Sequence, residues 1–335
     1  MTTVAKSELK NDFTQGKIFG KMLAFIIPLI FTNVLQTFYN MADMMIVGLS
    51  GDGNAVGSIG VTATYNALVL NLVIGAATGV NVILSQNIGA KNKDNIRKTV
   101  HTSFLLMVVL GVVVGVLGIG ICRPVLKLMG TDGNLLDLAV TYSCWYFMGT
   151  PFIALTNCAI AIFRAKGNSK TPLYVMTICG FVNVLFNLFF VLNFNMSVDG
   201  VALATTLSNA LSAIILFSIL AKDSGVCNFS FKKLSIDGKT ALSVVKVGVP
   251  MALQGMAFAL SHMINQSTVI QVDSAVSPVG SEYQPVVKGN SVESNIEGVS
   301  SSAVNSLQQG AVVFAGQNYG ANDFNRLKRV MLCQT

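Results

Sequence analysis

Residues 86–90 read Gln-Asn-Ile-Gly-Ala and residues 317–321 read Gln-Asn-Tyr-Gly-Ala, so one short motif occurs twice, 231 positions apart. Each copy is followed by a basic run, and Gly79 and Gly310 stand at matching positions upstream. A repeat of this length predicts one structural unit followed by a second copy of the same unit. In duplicated membrane bundles the substrate pathway usually runs between the copies, so the repeat already narrows the function.

The composition is that of a membrane protein. The chain is 52% hydrophobic and only 11% charged, with a mean hydropathy of +0.63, whereas a soluble domain of this length needs more charged surface. The apolar runs have the length of roughly 20 residues that crosses a bilayer. We predict an all-α polytopic protein with eight spans and the start of a ninth near Val330. The eight lie at about 22–47, 59–84, 99–121, 138–162, 173–194, 198–221, 245–270 and 292–315.

The positions of the Lys and Arg residues relative to the membrane explain the net charge of +7. If the first span leaves the cytoplasm and the sides alternate, 19 of the 22 Lys and Arg residues lie on the inner side, and only Arg123, Lys127 and Lys288 lie outside. This asymmetry follows the positive-inside rule and predicts a cytoplasmic N-terminus in the cell (inner) membrane. The bases therefore indicate no nucleic-acid partner. The first 21 residues are polar, so we expect no separate cleavable signal.

The long basic segment 222–246 follows the sixth span and divides the chain. We predict an N-terminal six-helix bundle over 1–221, a cytoplasmic linker over 222–246 and an incomplete C-terminal bundle over 247–335. Because six spans separate the copies, both enter the membrane in the same orientation, which is a parallel repeat. A complete second copy would need about four more spans, so we expect a C-terminally truncated duplication.

A second register relates the first spans of the two copies. Pro28 corresponds to Pro250 at an offset of 222, and the same offset places Asp43 opposite Asn265. The later repeat has the larger offset of 231, so we expect a longer, irregular outer loop at about 271–291.

Asp43 is the acid that stands out, because it lies in the first span, 22 residues past Lys21 and about 33 Å further along a helix. An acid at the bilayer centre costs roughly 2.5–3.5 kcal/mol, and less near the interface. Two interpretations stay open: an acid near the interface satisfied by water or Asn40, or a carboxylate in a cavity that binds a proton or Na⁺.

Polar groups in later spans offer possible partners for that carboxylate. Asn183 and Asn187 are spaced i and i+4, so both amides face the same way, and Thr205 lies in the next span. Such residues either bridge helices or supply neutral oxygen ligands for a hard cation. His262 in span seven fits a hydrogen-bonded packing residue better than a proton carrier.

Span eight is unusually polar, with Glu297, several serines and several amides. We expect it to line water or the groove between the halves; the alternative is a surface helix outside the membrane. At the end of the second span, Gly89 is expected to take the left-handed conformation that closes a helix.

Several functions are disfavoured by what the sequence lacks. The six cysteines show no CxxC or metal spacing, so we interpret them as packing residues. No GxxxxGK[ST] loop is present, which disfavours ATP-driven transport, and no nucleophile–base arrangement suggests an enzyme. We expect no cofactor, with H⁺ or Na⁺ as the coupling ion.

Five segments resemble the multidrug and toxic compound extrusion (MATE) transporters. They are SQNIGAKN at 85–92, GQNYGAN at 316–322, RAKGNSKTP at 164–172, NMADMMIVG at 40–48 and DGVALAT at 199–205. The resemblance implies two six-helix bundles facing each other across a cleft. It also implies alternating access, with cationic, amphipathic organic compounds exported in exchange for H⁺ or Na⁺.

The resemblance also implies site residues. Members with a cation site in the first bundle use an Asp of span one, an Asn and an acid one turn apart in span five, and a Thr of span six. Here these become Asp43, as the residue for H⁺ or Na⁺, with Asn183, Asn187 and Thr205. Asn187 departs from the pattern, because it is an amide where those members have a carboxylate. The residues expected to line the substrate cleft are Tyr39, Asn40, His262, Asn265 and Glu297.

Two further interpretations stay open beside the antiporter. One is a lipid or oligosaccharide flippase of the same superfamily, which should carry bases in the cleft for pyrophosphate; the predicted spans contain none. The other is a truncated, non-transporting membrane remnant or an interaction partner of a complete transporter. The sequence leaves the oligomeric state undetermined.

Overall fold

The protein consists of long helices. A computed structural model describes residues 12–48, 53–129, 131, 133–194, 196–223, 225–276 and 285–333. Over these residues the chain forms ten α-helices and one short 3-10 turn, Phe231–Lys233. The helices are α1 (Ile18–Gly48), α2 (Gly53–Gly89), α3 (Lys93–Leu128), α4 (Gly133–Met148), α5 (Thr150–Ala165), α6 (Lys170–Asn193), α7 (Val198–Lys222), α8 (Gly238–Val276), α9 (Pro285–Gly320) and α10 (Phe324–Leu332). The prediction of an all-α polytopic membrane protein is confirmed.

The fourth predicted span, 138–162, is not one straight helix. It consists of α4 and α5, which are bent by 50° against each other at Gly149. A Cβ at Gly149 would strike the side chain of Thr206 on α7, so the missing side chain lets α7 approach the bend. Pro151 lies in the first turn of α5, where its missing N–H costs no helix hydrogen bond.

Eight spans were predicted, and the described residues contain six or seven helices that meet the length and hydropathy of a span. Six helices there are long and apolar enough to cross a membrane, and the bent pair α4–α5 makes a seventh. The predicted eighth span does form a helix, α9, but its serines and amides keep it out of this group. The predicted ninth begins as α10.

The loop predicted at 271–291 is shorter than expected. Helix α8 continues to Val276 and α9 already begins at Pro285, while residues 277–284 lie outside the described ranges. Proline suits the first position of a helix, because its N–H would have no helical partner there. The predicted linker 222–246 is also partly helical, since α8 begins at Gly238.

The two halves meet through equivalent contacts. In one, Gly79 of α2 lies against Gly248 and Val244 of α8, and in the other Gly310 of α9 lies against Ile26 of α1. Gly310 is the position equivalent to Gly79 at the repeat offset of 231. Gly248 is the position equivalent to Ile26 at the repeat offset of 222. The two copies therefore pack against each other around an approximate two-fold axis, which is the arrangement expected for a parallel repeat.

Small residues make these helix contacts close. A Cβ at Gly79 would strike the backbone carbonyl of Val244, so the helix backbones approach without side chains between them, as is common between helices in lipid. The end of the bundle that carries the turns at 90–92, 166–169, 223–237 and 321–323 also carries most of the Lys and Arg residues, and we call it the basic end.

Candidate functional site

The repeated motif forms the same turn twice at the basic end. In each copy the N–H of the alanine bonds back to the carbonyl of the glutamine four residues earlier, at 2.9 Å in the first and 3.0 Å in the second. The left-handed residues are Lys91 (φ 54°) and Asn322 (φ 56°), again 231 positions apart. The expectation that Gly89 adopts this conformation was wrong, because the chain leaves the helix two residues later.

Gly89 has a different role, because its missing side chain allows the backbone of the second motif to approach closely. A Cβ at Gly89 would overlap the backbone carbonyl of Gln317, and a Cβ at Gly320 would overlap that of Gln86. The two motifs thus contact each other reciprocally across the boundary between the halves. This contact closes the basic end.

Asp43 lies inside the first bundle, among α1, α6 and α7. Its side chain is buried, and its Oδ1 accepts a hydrogen bond of 2.5 Å from Nδ2 of Asn187. The Thr205 side chain lies next to the carboxylate. Asn183 is buried beside them, within 3.4 Å of the Thr205 hydroxyl. The structure therefore brings together all four residues predicted for cation coupling.

The Asn183 amide is satisfied when its nitrogen faces Asp43. In that orientation its nitrogen donates to Oδ1 of Asp43 at 3.0 Å and its oxygen accepts from the Thr205 N–H at 3.3 Å. Both amides of α6 therefore donate to the carboxylate of Asp43.

The surroundings of Asp43 offer no positive charge. The ion pairs in the described part of the chain are Arg123–Asp137, Lys166–Asp223 and His262–Glu297, so Asp43 has none there. A cluster of apolar residues that includes Ile46, Val191 and Tyr142 packs beside the site. A charged group in such surroundings needs a proton, a cation or hydrogen bonds to be stable.

The oxygens near Asp43 suit a small hard cation. Oδ1 of Asn187 is buried and has no hydrogen-bond partner in the described part, and carboxylate, amide and hydroxyl oxygens are the ligands that hard cations prefer. No cluster of three or more His, Cys, Asp or Glu occurs among the described residues, so a transition-metal site is not indicated by them.

Tyr39, predicted for the substrate cleft, packs one turn before Asp43 on α1. Its hydroxyl donates to the carbonyl of Thr177 at 3.1 Å, and its ring occupies the space above Gly180 on α6. Asn40 and Asn265 are both exposed. Asn40 lies on α1, and Asn265 lies on α8, which is the helix of the second half that corresponds to α1.

His262 and Glu297, also predicted for the cleft, lie next to each other. Nε2 of His262 is 3.8 Å from Oε1 of Glu297, and the two side chains are 59% and 44% exposed. They belong to α8 and α9, so the second half presents an accessible carboxylate. His262 is exposed in the described part of the chain, and its expected role as a hydrogen-bonded packing residue stays a prediction.

Helix α9 directs polar groups at the first half, which explains its composition. Nδ2 of Asn33 donates to Oγ of Ser306 at 2.9 Å, and the hydroxyls of Thr37 and Ser302 are 3.5 Å apart. The expectation that this helix lines the groove between the halves agrees with these contacts over residues 302–318.

The sequence analysis missed two features at the basic end. Phe13, which lies in the first 21 residues that were described only as polar, packs between the halves. Arg164, placed just beyond the fourth span, lies in the last turn of α5 with a buried Nε that has no hydrogen-bond partner in the described part. Phe13, an aromatic residue in a polar stretch, was the available signal for the first feature.

Comparison with known proteins agrees with this architecture. The family model described as MatE matches residues 28–189. The probable multidrug resistance protein YoeA of Bacillus subtilis is 27% identical over 99% of this chain and 71% of its own length. The multidrug export protein MepA of Staphylococcus aureus is 21% identical over 77% of this chain and 57% of its own length.

Solved structures share the fold. A MATE family transporter described in an outward-facing conformation superimposes with a TM-score of 0.86 at 20% identity, covering 98% of this chain and 71% of that one. A transporter of the same superfamily from Pyrococcus furiosus gives 0.85 at 19% identity, covering 96% and 70%.

The repeat, the helical bundle and the polar cluster within it define a polytopic membrane protein of duplicated-bundle architecture. Residues 28–189 of this chain match the MatE family model, and the chain is similar to curated multidrug resistance proteins in sequence and to MATE transporters in fold.

Proposed function

We propose that the protein is a secondary active antiporter that exports cationic, amphipathic organic compounds in exchange for H⁺ or Na⁺ by alternating access. The single observation that carries the coupling part is Asp43, a buried carboxylate without an ion-pair partner in the described part of the chain. The curated relatives named for multidrug resistance and multidrug export support the class of substrate.

We infer the coupling step from the contacts of Asp43. Its Oδ1 accepts from Nδ2 of Asn187 at 2.5 Å and from the Asn183 amide at 3.0 Å. A proton or a cation on Oδ1 competes with these two donors, so ion binding changes the contacts that join α1 to α6.

Helix α1 can transmit such a change, because it contains Pro28. Proline removes one helix hydrogen bond and weakens the helix locally. The segment of α1 after Pro28, which carries Asp43, can then shift relative to the segment before Pro28, and α9 contacts both segments. We infer that this shift alters the balance between the two access states of the cleft.

The orientation in the membrane follows from charge. We place the basic end in the cytoplasm of a cell membrane, because Lys and Arg residues are retained there. The reciprocal contact between Gly89 and Gln317 then closes the inner side, so that the cleft opens outwards. The exposed carboxylate of Glu297 is the group that we assign to attracting the substrate cation.

Efflux of a fluorescent organic cation from cells expressing the protein tests this proposal. Asp43→Asn should reduce efflux to the level of cells without the protein, whereas Asp137→Asn, which alters an exposed acid, should leave it unchanged. Efflux by Asp43→Asn at the wild-type rate, with equal amounts of protein in the membrane, would rule out Asp43 as the coupling residue.

A further inference from the structure

Residues 12–16 form a short turn in front of α1, and the second half of the protein buries its one aromatic side chain, Phe13. The Phe13 side chain is only 1% exposed. Its ring stacks on Phe314 of α9 with 3.9 Å between centroids, and it meets the edge of Phe25 of α1 at 5.3 Å. The ring therefore fills the space between the first helix of one copy and the second helix of the other.

The backbone of this turn is held by side chains of the second half. The N–H of Phe13 donates to Oε1 of Gln317 at 3.2 Å, and the carbonyl of Phe13 accepts from Nε of Arg326 at 3.2 Å. A second nitrogen of Arg326 donates to the carbonyl of Gly16 at 2.8 Å. Hydrogen bonds from a charged donor are roughly twice as strong as neutral ones.

The turn itself is fixed to the first half. The side chain of Asp12 accepts from the N–H of Thr14 at 2.8 Å, and Lys21 of α1 donates to the carbonyls of Asp12 at 2.7 Å and Gln15 at 3.0 Å. Gly16 takes the left-handed conformation (φ 77°) that leads into α1. The turn thus moves with α1, while its outward-facing groups bind α9 and α10.

Gln317 joins three parts of the protein at one point. Its Oε1 accepts from Phe13, and its Nε2 donates to the carbonyl of Ala165 at the end of α5, at 2.8 Å. Its counterpart in the first copy, Gln86, makes no such side-chain hydrogen bond in the described part and lines an apolar cavity with Tyr319 and Leu327. The arrangement therefore exists at only one of the two motifs.

We propose that residues 12–16 are a latch that holds the basic end closed, and that Gln317 and Arg326 are the positioning residues that keep the latch in place. The inference rests on the proposed alternating access, because it concerns the step that opens the inner side. Opening must separate α1 from α9, and the Phe13 ring can then stay with only one of them. The latch has to release once in every cycle.

Distances between the halves at the basic end test the latch directly. Spin labels at Asp94 and Asn325, both exposed and 231 positions apart, are placed on the protein with its six cysteines replaced and reconstituted in lipid nanodiscs. Double electron–electron resonance should give one short distance for the otherwise unaltered protein. Phe13→Ala and Arg326→Gln should each raise the fraction with longer distances severalfold.

Two control variants match these changes. Phe19→Ala removes a ring that is 64% exposed, and Arg329→Gln removes an exposed charge from the same helix as Arg326; both should keep the short distance. A partial return of the short distance in Arg326→Lys, which can reach one carbonyl, would support the positioning role. Distances in Phe13→Ala and Arg326→Gln equal to those of the controls would overturn the latch.

The same measurement separates this inference from the proposed function. It needs no substrate and no ion gradient, so a protein that exports nothing can still show the latch. Normal efflux with unchanged distances in Phe13→Ala would reject the latch and leave the antiporter intact. Arg326→Gln also guards against misfolding of Phe13→Ala, because it leaves the apolar contacts of the Phe13 ring in place.

Discussion

Gly89 lies so close to Gln317 that the backbone carbonyl of Gln317 occupies the place of a side chain on Gly89. Gly320 and Gln86 make the same contact in reverse. A motif that occurs twice in the sequence therefore closes one end of the molecule by meeting its own copy. This explains why both copies need glycine at the fourth position.

The first prediction concerns this contact. Gly89→Ala and Gly320→Ala should each lower stability by about 1–3 kcal/mol, because an added methyl group forces packed backbones apart. The two losses should be similar, since the sites are equivalent. Thermal unfolding of the purified protein in detergent measures both.

A glycine in open surroundings provides the control. A Cβ at Gly120 in α3 meets nothing within 4 Å, so Gly120→Ala should be neutral or slightly stabilising, because alanine favours a helix by about 1 kcal/mol over glycine. Equal effects at Gly120 and Gly89 would show that the basic end is not tightly closed.

The second prediction concerns the ion. Asn187→Asp places a second carboxylate next to Asp43, where Nδ2 of Asn187 now lies 2.5 Å from Oδ1. Two carboxylates at this distance need a proton or a cation between them. Na⁺ should therefore stabilise this variant against heat more than it stabilises the wild type, with K⁺ at equal ionic strength as reference.

Asn157→Asp is the matched control for this change, because Asn157 is an amide of α5 that bonds the carbonyl of Ile153. It should show no specific response to Na⁺. A sodium response of the same size in both variants would mean that the effect reflects added charge and not a site at Asp43.

The third prediction concerns Glu297. Its side chain is 44% exposed, and contacts between exposed opposite charges contribute roughly 0.2–1 kcal/mol. Glu297→Gln should therefore weaken binding of a monovalent organic cation by up to about fivefold. Fluorescence anisotropy of a cationic dye measures the affinity.

His262→Ala should not weaken this binding, because it removes a group that competes for the same carboxylate. An uncharged compound of similar shape should bind Glu297→Gln as well as it binds the wild type. Equal losses for the cation and the uncharged compound would argue against a charge role for Glu297.

The fourth prediction concerns pH. Asp237 begins α8 by accepting from the hydroxyl of Thr240 at 2.7 Å and from its N–H at 2.9 Å. These bonds to the charged carboxylate, with the hydroxyl contributing most, lower the pKa of Asp237 below its ordinary value. The stabilisation is therefore complete above the ordinary pKa of about 3.9 and is lost as pH falls through the lowered pKa.

Thermal unfolding of Asp237→Ala against pH tests this prediction. The variant should be less stable than the wild type near neutral pH, and the difference should shrink in strong acid. A difference that stays constant down to acid pH would mean that Asp237 acts through its neutral form.

The fold and the polar cluster were accessible from the sequence because they depend on local patterns. The apolar runs predicted the helices. The i, i+4 spacing of Asn183 and Asn187 predicted that both side chains lie on the same face of α6. The family resemblance joined them to Asp43 and Thr205. The repeat offsets also gave the correspondence of Gly79 with Gly310, and the structure places both glycines in contacts between the two copies.

Features that depend on contacts between distant residues were not accessible. The break at Gly149 is an exception, because Gly149 and Pro151 are a helix-breaking signal that the prediction of one span over 138–162 did not use. The burial of Phe13 depends on Gln317 and Arg326, which lie about three hundred residues away. The left-handed residue of the turn is a lysine, which backbone preferences alone disfavour.

The most direct test of the central claim is exchange in proteoliposomes that hold the purified protein without an imposed ion gradient. A concentration gradient of a cationic substrate should drive H⁺ or Na⁺ in the opposite direction, and a pH-sensitive or sodium-sensitive dye records this movement. The account predicts ion movement with wild-type protein and with Asp137→Asn, and none with Asp43→Asn. Ion movement at the wild-type rate in Asp43→Asn would contradict it.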